Sequence, residues 1–196
     1  MNKIKSMMKE YPVINGYIII CLVCLVTNMV TFGAFNNYVL ALPGTLISIP
    51  CISYKLVTYI FGHSGIQHFL NNMLMLVLTG PTVEKRIGSK KLIICMLITA
   101  IATGIVNGIL FKTGLVGASG VVYMLIMMML LTGRSVKQLR DIFKYPFSLI
   151  AMVYYFGSEI ISAFVVNDNI SHFAHLFGGI CGVIMAIVIN KRGSVQ

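Results

Sequence analysis

The sequence predicts an all-α polytopic membrane protein of six transmembrane helices, and three observations carry that prediction. Of its 196 residues, 58% are hydrophobic and only 10% charged, with a mean hydropathy of +0.91. A soluble domain of this length has too little interior to hide so much apolar surface, whereas a bilayer solvates it directly. The apolar residues fall into six runs, each close to the roughly 20 residues that cross a bilayer. The basic residues sit in short clusters between those runs, as they do around membrane spans.

The six runs are 13–34, 66–83, 92–111, 117–131, 145–166 and 171–190, and together they form a single membrane domain over 1–196. The first follows a basic start, as in a secretory signal, but it is long and no small-x-small cleavage site follows it. It is expected to stay as the first span. A long connector, about 35–60, separates the first two runs. It carries Pro43, Gly44 and Pro50 with apolar Leu40, Leu42, Ile47 and Ile49, a composition suited to the membrane interface. The five cysteines (Cys21, Cys24, Cys51, Cys95, Cys181) are scattered through apolar sequence. Cys21 and Cys24 form C-x-x-C, but no second pair completes a zinc site. Neither a metal nor a cofactor is expected.

The formal net charge of +10 raises nucleic acid as a partner. The charge distribution argues for the lipid bilayer instead, because no continuous basic face exists. With the N-terminus inside, 13 of the 15 Lys and Arg fall on the inner side, leaving Lys55 and Lys112 outside. Both termini are therefore expected to be cytoplasmic, in a multi-pass protein of the cell membrane.

Polar groups within a span are costly and mark function. Three clusters stand out: His63 to Asn72 at the start of the second run, Gly117-Ala-Ser119-Gly120 with Tyr123 in the fourth, and His172 to Gly182 in the sixth. Depth shows that they can meet. Ser119 lies 15 residues from Arg134, His175 lies 16 from Lys191, and His68 lies 16 from Glu84. At ~1.5 Å per residue each is roughly 22–24 Å above the cytoplasmic end, a few ångströms below the outer limit of an apolar core about 30 Å thick.

Three groups at one level suggest one site. A serine hydroxyl needs a base to become a nucleophile, and neutral imidazole is the usual one; Ser119 and His175 supply the pair. Attack on a carbonyl creates an oxyanion, which needs donors aimed at it. His68 and Asn72, at i and i+4, share a helix face, and the Ser119 N–H lies at a helix N-terminus. Gly117 and Gly120 allow close approach around the nucleophile. Gly178 and Gly182, on the His175 face, form G-x-x-x-G, which lets two membrane helices touch backbone to backbone. Tyr123, one turn from Ser119, is placed to stack on the imidazole. No acidic residue is positioned to complete a triad, so the expected machinery is a dyad.

These motifs resemble the rhomboid family of intramembrane serine proteases. The likeness lies in Phe61-x-His63-x(4)-His68-x(3)-Asn72, Gly80-x-x-x-Glu84-Lys85-Arg86-x-Gly88, Gly117-Ala-Ser119-Gly120 and Ala174-His175-x-x-Gly178-x-x-x-Gly182, in that order over about 54–190. It implies a six-helix rhomboid-like bundle that cleaves transmembrane segments of other proteins without a cofactor. Ser119 would be the nucleophile, His175 the base, and His68, Asn72 and the Ser119 N–H the oxyanion site. Many members carry Trp-Arg in the first connector, where this chain has Tyr54-Lys55.

Each residue also has a plainer reading. His172 is a rival base but lies nearer the outer surface. His63 reads as a structural hydrogen-bonder, Asn71 as packing or capping, Gly104 and Gly108 as a packing contact, and Glu84 with Arg86 as a structural pair. Glu159, 15 residues beyond Lys144, is expected at the active-site level facing the interior, bordering substrate access or bonded to a neighbouring helix. Two other functions remain open at this point: an inactive rhomboid-like binder of membrane segments and a small transporter. Oligomeric state and natural substrate are not legible.

Overall fold

The computed structural model describes residues 9–44, 52–111, 114–133 and 172–193, together with Gly157. The run expected at 145–166, and Glu159 within it, lie outside the described residues. The other five runs are helices: α1 (Pro12–Val30), α3 (Ile66–Ile87), α4 (Ser89–Leu110), α5 (Ser119–Leu131) and α6 (His172–Lys191), with a short α2 (Ile52–Thr58) in the connector. α1, α4 and α6 are long and apolar enough to cross a membrane. α3, at 22 residues, has the length but puts polar groups on one face and charge at its end, so its composition is mixed.

The centre of the bundle is α5. Val121 through Met128 are all buried, and a helix that is apolar and buried all round is a core helix. It packs on α6 and α3. Its 13 residues span only about 20 Å, less than the apolar thickness of a bilayer. The irregular segment 114–118 leads into it. Irregular backbone in a membrane bundle is tolerated only when protein covers it or it lines a polar cavity, and both conditions are met.

The connector supplies the cover. Leu42 and Leu115 form an antiparallel bridge, each N–H donating to the other's carbonyl at 2.9 Å, and the Gly117 N–H donates to the Tyr59 carbonyl at 2.9 Å. Leu40, Leu42, Tyr59 and Ile60 are buried. Leu42 and Tyr59 of this segment pack into the bundle beside the start of α5. The Tyr59 hydroxyl donates to the Ala100 carbonyl on α4, and the Tyr17 hydroxyl on α1 donates to the Ile60 carbonyl. Gly104 belongs to this contact: a Cβ there would meet Leu42, Leu56 and Tyr59.

The α3–α4 corner differs from the pairing expected of Glu84 and Arg86. The buried Glu84 carboxylate accepts from the Val13 and Ile14 N–H groups at 3.0 and 3.1 Å, and from the Ser89 hydroxyl at 2.7 Å. It caps the N-terminus of α1, where unpaired donors and the positive end of the helix dipole favour an anion. Arg86 Nη1 donates to the Met129 and Thr132 carbonyls at 2.6 and 3.1 Å, at the C-terminal end of α5, where a cation is favoured for the converse reason. One short segment thus ties off two other helices. We expect Glu84→Ala to lower stability by about 2–3 kcal/mol, the scale of a charged hydrogen bond with its donors left unmet, and Glu84→Gln, which keeps one acceptor, to cost less. Thermal unfolding in detergent checks both.

Candidate active site

Segment 114–117 is fixed by Leu42 and Tyr59 before it turns into α5. Gly117 has φ +144°, a conformation that L side chains rarely adopt, and a Cβ there would fall 2.8 Å from His68 Cε1 and 3.0 Å from Nε2. Glycine is required on both counts. The turn delivers Ser119 as the first residue of α5, with its N–H among the unpaired donors of that helix end.

Across from it, α6 approaches backbone to backbone. A Cβ on Gly178 would collide with the carbonyl oxygen of Gly120, and one on Gly182 with the carbonyl oxygen of Met124. The G-x-x-x-G spacing therefore packs α6 on α5, as its sequence suggested. One turn earlier on α6, the His175 ring lies flat on the Tyr123 ring, with centroids 4.9 Å apart and planes 9° from parallel. Stacking engages the face of the imidazole and not its edge, which carries both nitrogens. His172 lies edge-on to His175 at 6.1 Å, is buried, and is absent from the cavity wall.

α3 supplies the third wall. Asn72 is buried, and its Nδ2 donates to the His68 carbonyl at 3.0 Å. An amide nitrogen has two hydrogens, so a second donor remains for the cavity. His68 Nδ1 lies 3.0 Å from Ser64 Oγ, which turns Nε2 toward Gly117. His63 departs from its expected role. Its ring is fully buried with no hydrogen bond of ordinary geometry to either nitrogen among the described residues, and it packs edge-on against His68 and Phe69 at 5.2 and 5.3 Å. The polar tie at this corner comes from the backbone: the His63 carbonyl accepts from Asn36 Nδ2 at 2.8 Å.

Together these walls enclose a cavity of about 610 Å³ lined by His68, Asn72, Gly117, Ser119, Gly120, Tyr123 and His175. Asn71, expected to point away, also lines it while accepting from Gln67 Nε2 at 2.9 Å. Sequence reasoning missed Ser64, Gln67, Tyr59 and Thr103 in the wall. Gln67 lies i−4 from Asn71, and Thr103 is one of two threonines within an apolar run; neither signal points to the site without the fold. The described residues hold no cluster of His, Cys, Asp and Glu able to bind a metal, and the described cysteines are free thiols.

This is a multi-pass helical membrane protein with a polar cavity sunk among its helices. The Rhomboid domain matches residues 51–192. The chain is 31% identical over 141 residues to the rhomboid protease GlpG of Salmonella paratyphi A, covering 71% of this chain and 50% of that protein. It has the same identity over 143 residues, with the same coverage, to the rhomboid protease GlpG of Salmonella newport. The chain belongs to the rhomboid family, and it spans about half the length of these curated relatives.

The close α5–α6 contact makes a direct prediction. Gly178→Ala is expected to lower stability by about 1–3 kcal/mol, since the added methyl meets backbone that cannot rotate away, and Gly178→Val by more. Gly16→Ala, whose Cβ would meet nothing within 4 Å, should leave the melting temperature unchanged or raise it. Unfolding curves of the three purified proteins decide this.

Proposed function

We propose that this chain is an intramembrane serine endopeptidase that hydrolyses peptide bonds in or near transmembrane segments of other membrane proteins. The observation that carries the reading is the convergence of Ser119, His175, His68 and Asn72 on one cavity, with the His175 ring held flat on Tyr123. The Rhomboid domain match and the relatives named as rhomboid proteases support it.

In this mechanism His175 takes the Ser119 proton as the hydroxyl attacks the scissile carbonyl carbon. The carbonyl oxygen becomes an oxyanion, held by the Ser119 N–H, the second Asn72 amide hydrogen and His68 Nε2–H. The tetrahedral intermediate collapses, and His175 returns its proton to the leaving amine. Water then attacks the acyl-enzyme with His175 again as base, releasing the acid and restoring Ser119. No cofactor enters the scheme. Hydrolysis consumes water, so the cavity opens to an aqueous face. The positive-inside bias puts both termini in the cytoplasm and that opening on the extracytoplasmic side. A substrate helix must unwind locally to offer a carbonyl, so single-span proteins with weak outer ends are the expected substrates. Glu159, expected at the corresponding depth in a fifth span at 145–166, is proposed to border their entry.

Ser119→Ala and His175→Ala should each reduce cleavage of a generic transmembrane substrate in detergent on the order of 10⁴-fold or more. The double variant should be no worse than either, because the two act as one unit. His172→Ala should retain most activity. Turnover by Ser119→Ala, or a dead His172→Ala beside an active His175→Ala, would refute the assignment.

The oxyanion roles have a separate signature. His68→Ala and Asn72→Ala should lower kcat by about 10²–10³-fold or somewhat less where donors are redundant, with little change in KM. Raised KM at unchanged kcat would exclude transition-state stabilisation by these residues.

A further inference from the structure

A neutral imidazole has one N–H, and an oxyanion role for His68 requires it on Nε2, the nitrogen facing Gly117 and the cavity. With the proton on Nδ1, Nε2 would turn a lone pair toward the developing charge and repel it. Whatever sits against Nδ1 therefore decides whether His68 helps or hinders. That neighbour is the hydroxyl of Ser64, 3.0 Å away. A backbone carbonyl in its place could only accept, and would hold the proton on Nδ1. A hydroxyl can donate as well as accept, and where it donates the ring proton stays on Nε2.

We infer that Ser64 is a positioning residue that donates its hydroxyl hydrogen to His68 Nδ1 and thereby keeps the His68 proton on Nε2, aimed at the oxyanion. Three further observations support it. Ser64 itself lines the cavity, so this hydrogen bond belongs to the site wall. The rest of the His68 ring is confined, with the buried His63 edge-on at 5.2 Å and Gly117 too close on the other side to carry a Cβ. The ring cannot readily flip to exchange its nitrogens, so tautomer choice, and not rotation, sets what Nε2 presents. Ser64 also sits before the first residue of α3, Ile66, with an exposed side chain, so its removal leaves the helix and core packing in place.

The inference rests on the oxyanion role given to His68 above, and the experiment separates the two. Purified wild type, Ser64→Ala, Ser64→Thr, His68→Ala and the Ser64→Ala/His68→Ala double variant are compared for kcat and KM on one transmembrane substrate. In parallel, the nitrogen-15 ring shifts of His68, assigned by their loss in His68→Ala, report its tautomer without any need for activity. We expect Ser64→Ala to melt with wild type, to lose about 3- to 10-fold in kcat at unchanged KM, the scale of one net hydrogen bond, and to shift His68 away from the Nε2–H form. Ser64→Thr should restore both readouts, and Ser64→Ala should cost nothing further once His68 is gone. An unchanged tautomer in Ser64→Ala, an unchanged kcat, or an equal loss in the His68→Ala background would overturn the inference. A wild type without Ser119-dependent cleavage would instead sink the protease reading, while the ring shifts would still show whether Ser64 sets the tautomer.

Discussion

Everything at the candidate site depends on how closely α6 can approach α5. Gly178 meets the backbone of Gly120, and Gly182 that of Met124. In a bilayer, apolar side chains gain little by leaving lipid for protein, so helix association relies on close van der Waals packing and on polar contacts. Two glycines, one helical turn apart on α6, provide the first. Asn190 provides the second near the C-terminal end of α6, its amide donating to the Leu131 carbonyl and accepting from the Gly133 N–H at 2.9 Å each. With both ends held, His175 has one place to lie, flat on Tyr123.

α5 is itself held from three directions. Arg86 binds its last carbonyls, the Thr99 hydroxyl contacts Met124 sulfur at 3.0 Å, and the Leu42 bridge and the Tyr59 carbonyl hold the segment leading into it. This is how irregular backbone leading into Ser119 can be held inside the bundle. The Leu115 and Gly117 N–H groups of the loop donate to the connector, and residues 114–117 line the cavity. A rigid frame of this kind suits a reaction whose catalysis comes from preorganised donors.

Much of this was legible because helices are rods of known pitch. Counting residues from the charges at the far ends of the helices put His68, Ser119 and His175 at one level, and all three line one cavity. The Tyr123–His175 stacking and the glycine contact followed from i+3, i+4 and i+7 spacing on single helices. The misses share a cause: each depends on a partner distant in sequence or on non-helical backbone. Glu84 caps a helix whose first residues lie 70 and 71 positions away, and Arg86 reaches 43 and 46 positions forward; adjacency in sequence suggested that they pair. His63 and Ser64 lie outside regular helix, where periodicity gives no direction. The connector reads as an interfacial strip from composition, and its pairing with Leu115, 73 positions from Leu42, is what ties it to the segment leading into Ser119.

The central claim is that this packing makes Ser119 a nucleophile by placing His175 beside it. The most direct measurement is covalent trapping with a serine-directed fluorophosphonate, with the modified peptide located by mass spectrometry in wild type and in His175→Ala. The account predicts an adduct on Ser119 in wild type and its near-complete loss in His175→Ala. No adduct at Ser119, or equal labelling in the two proteins, would contradict it.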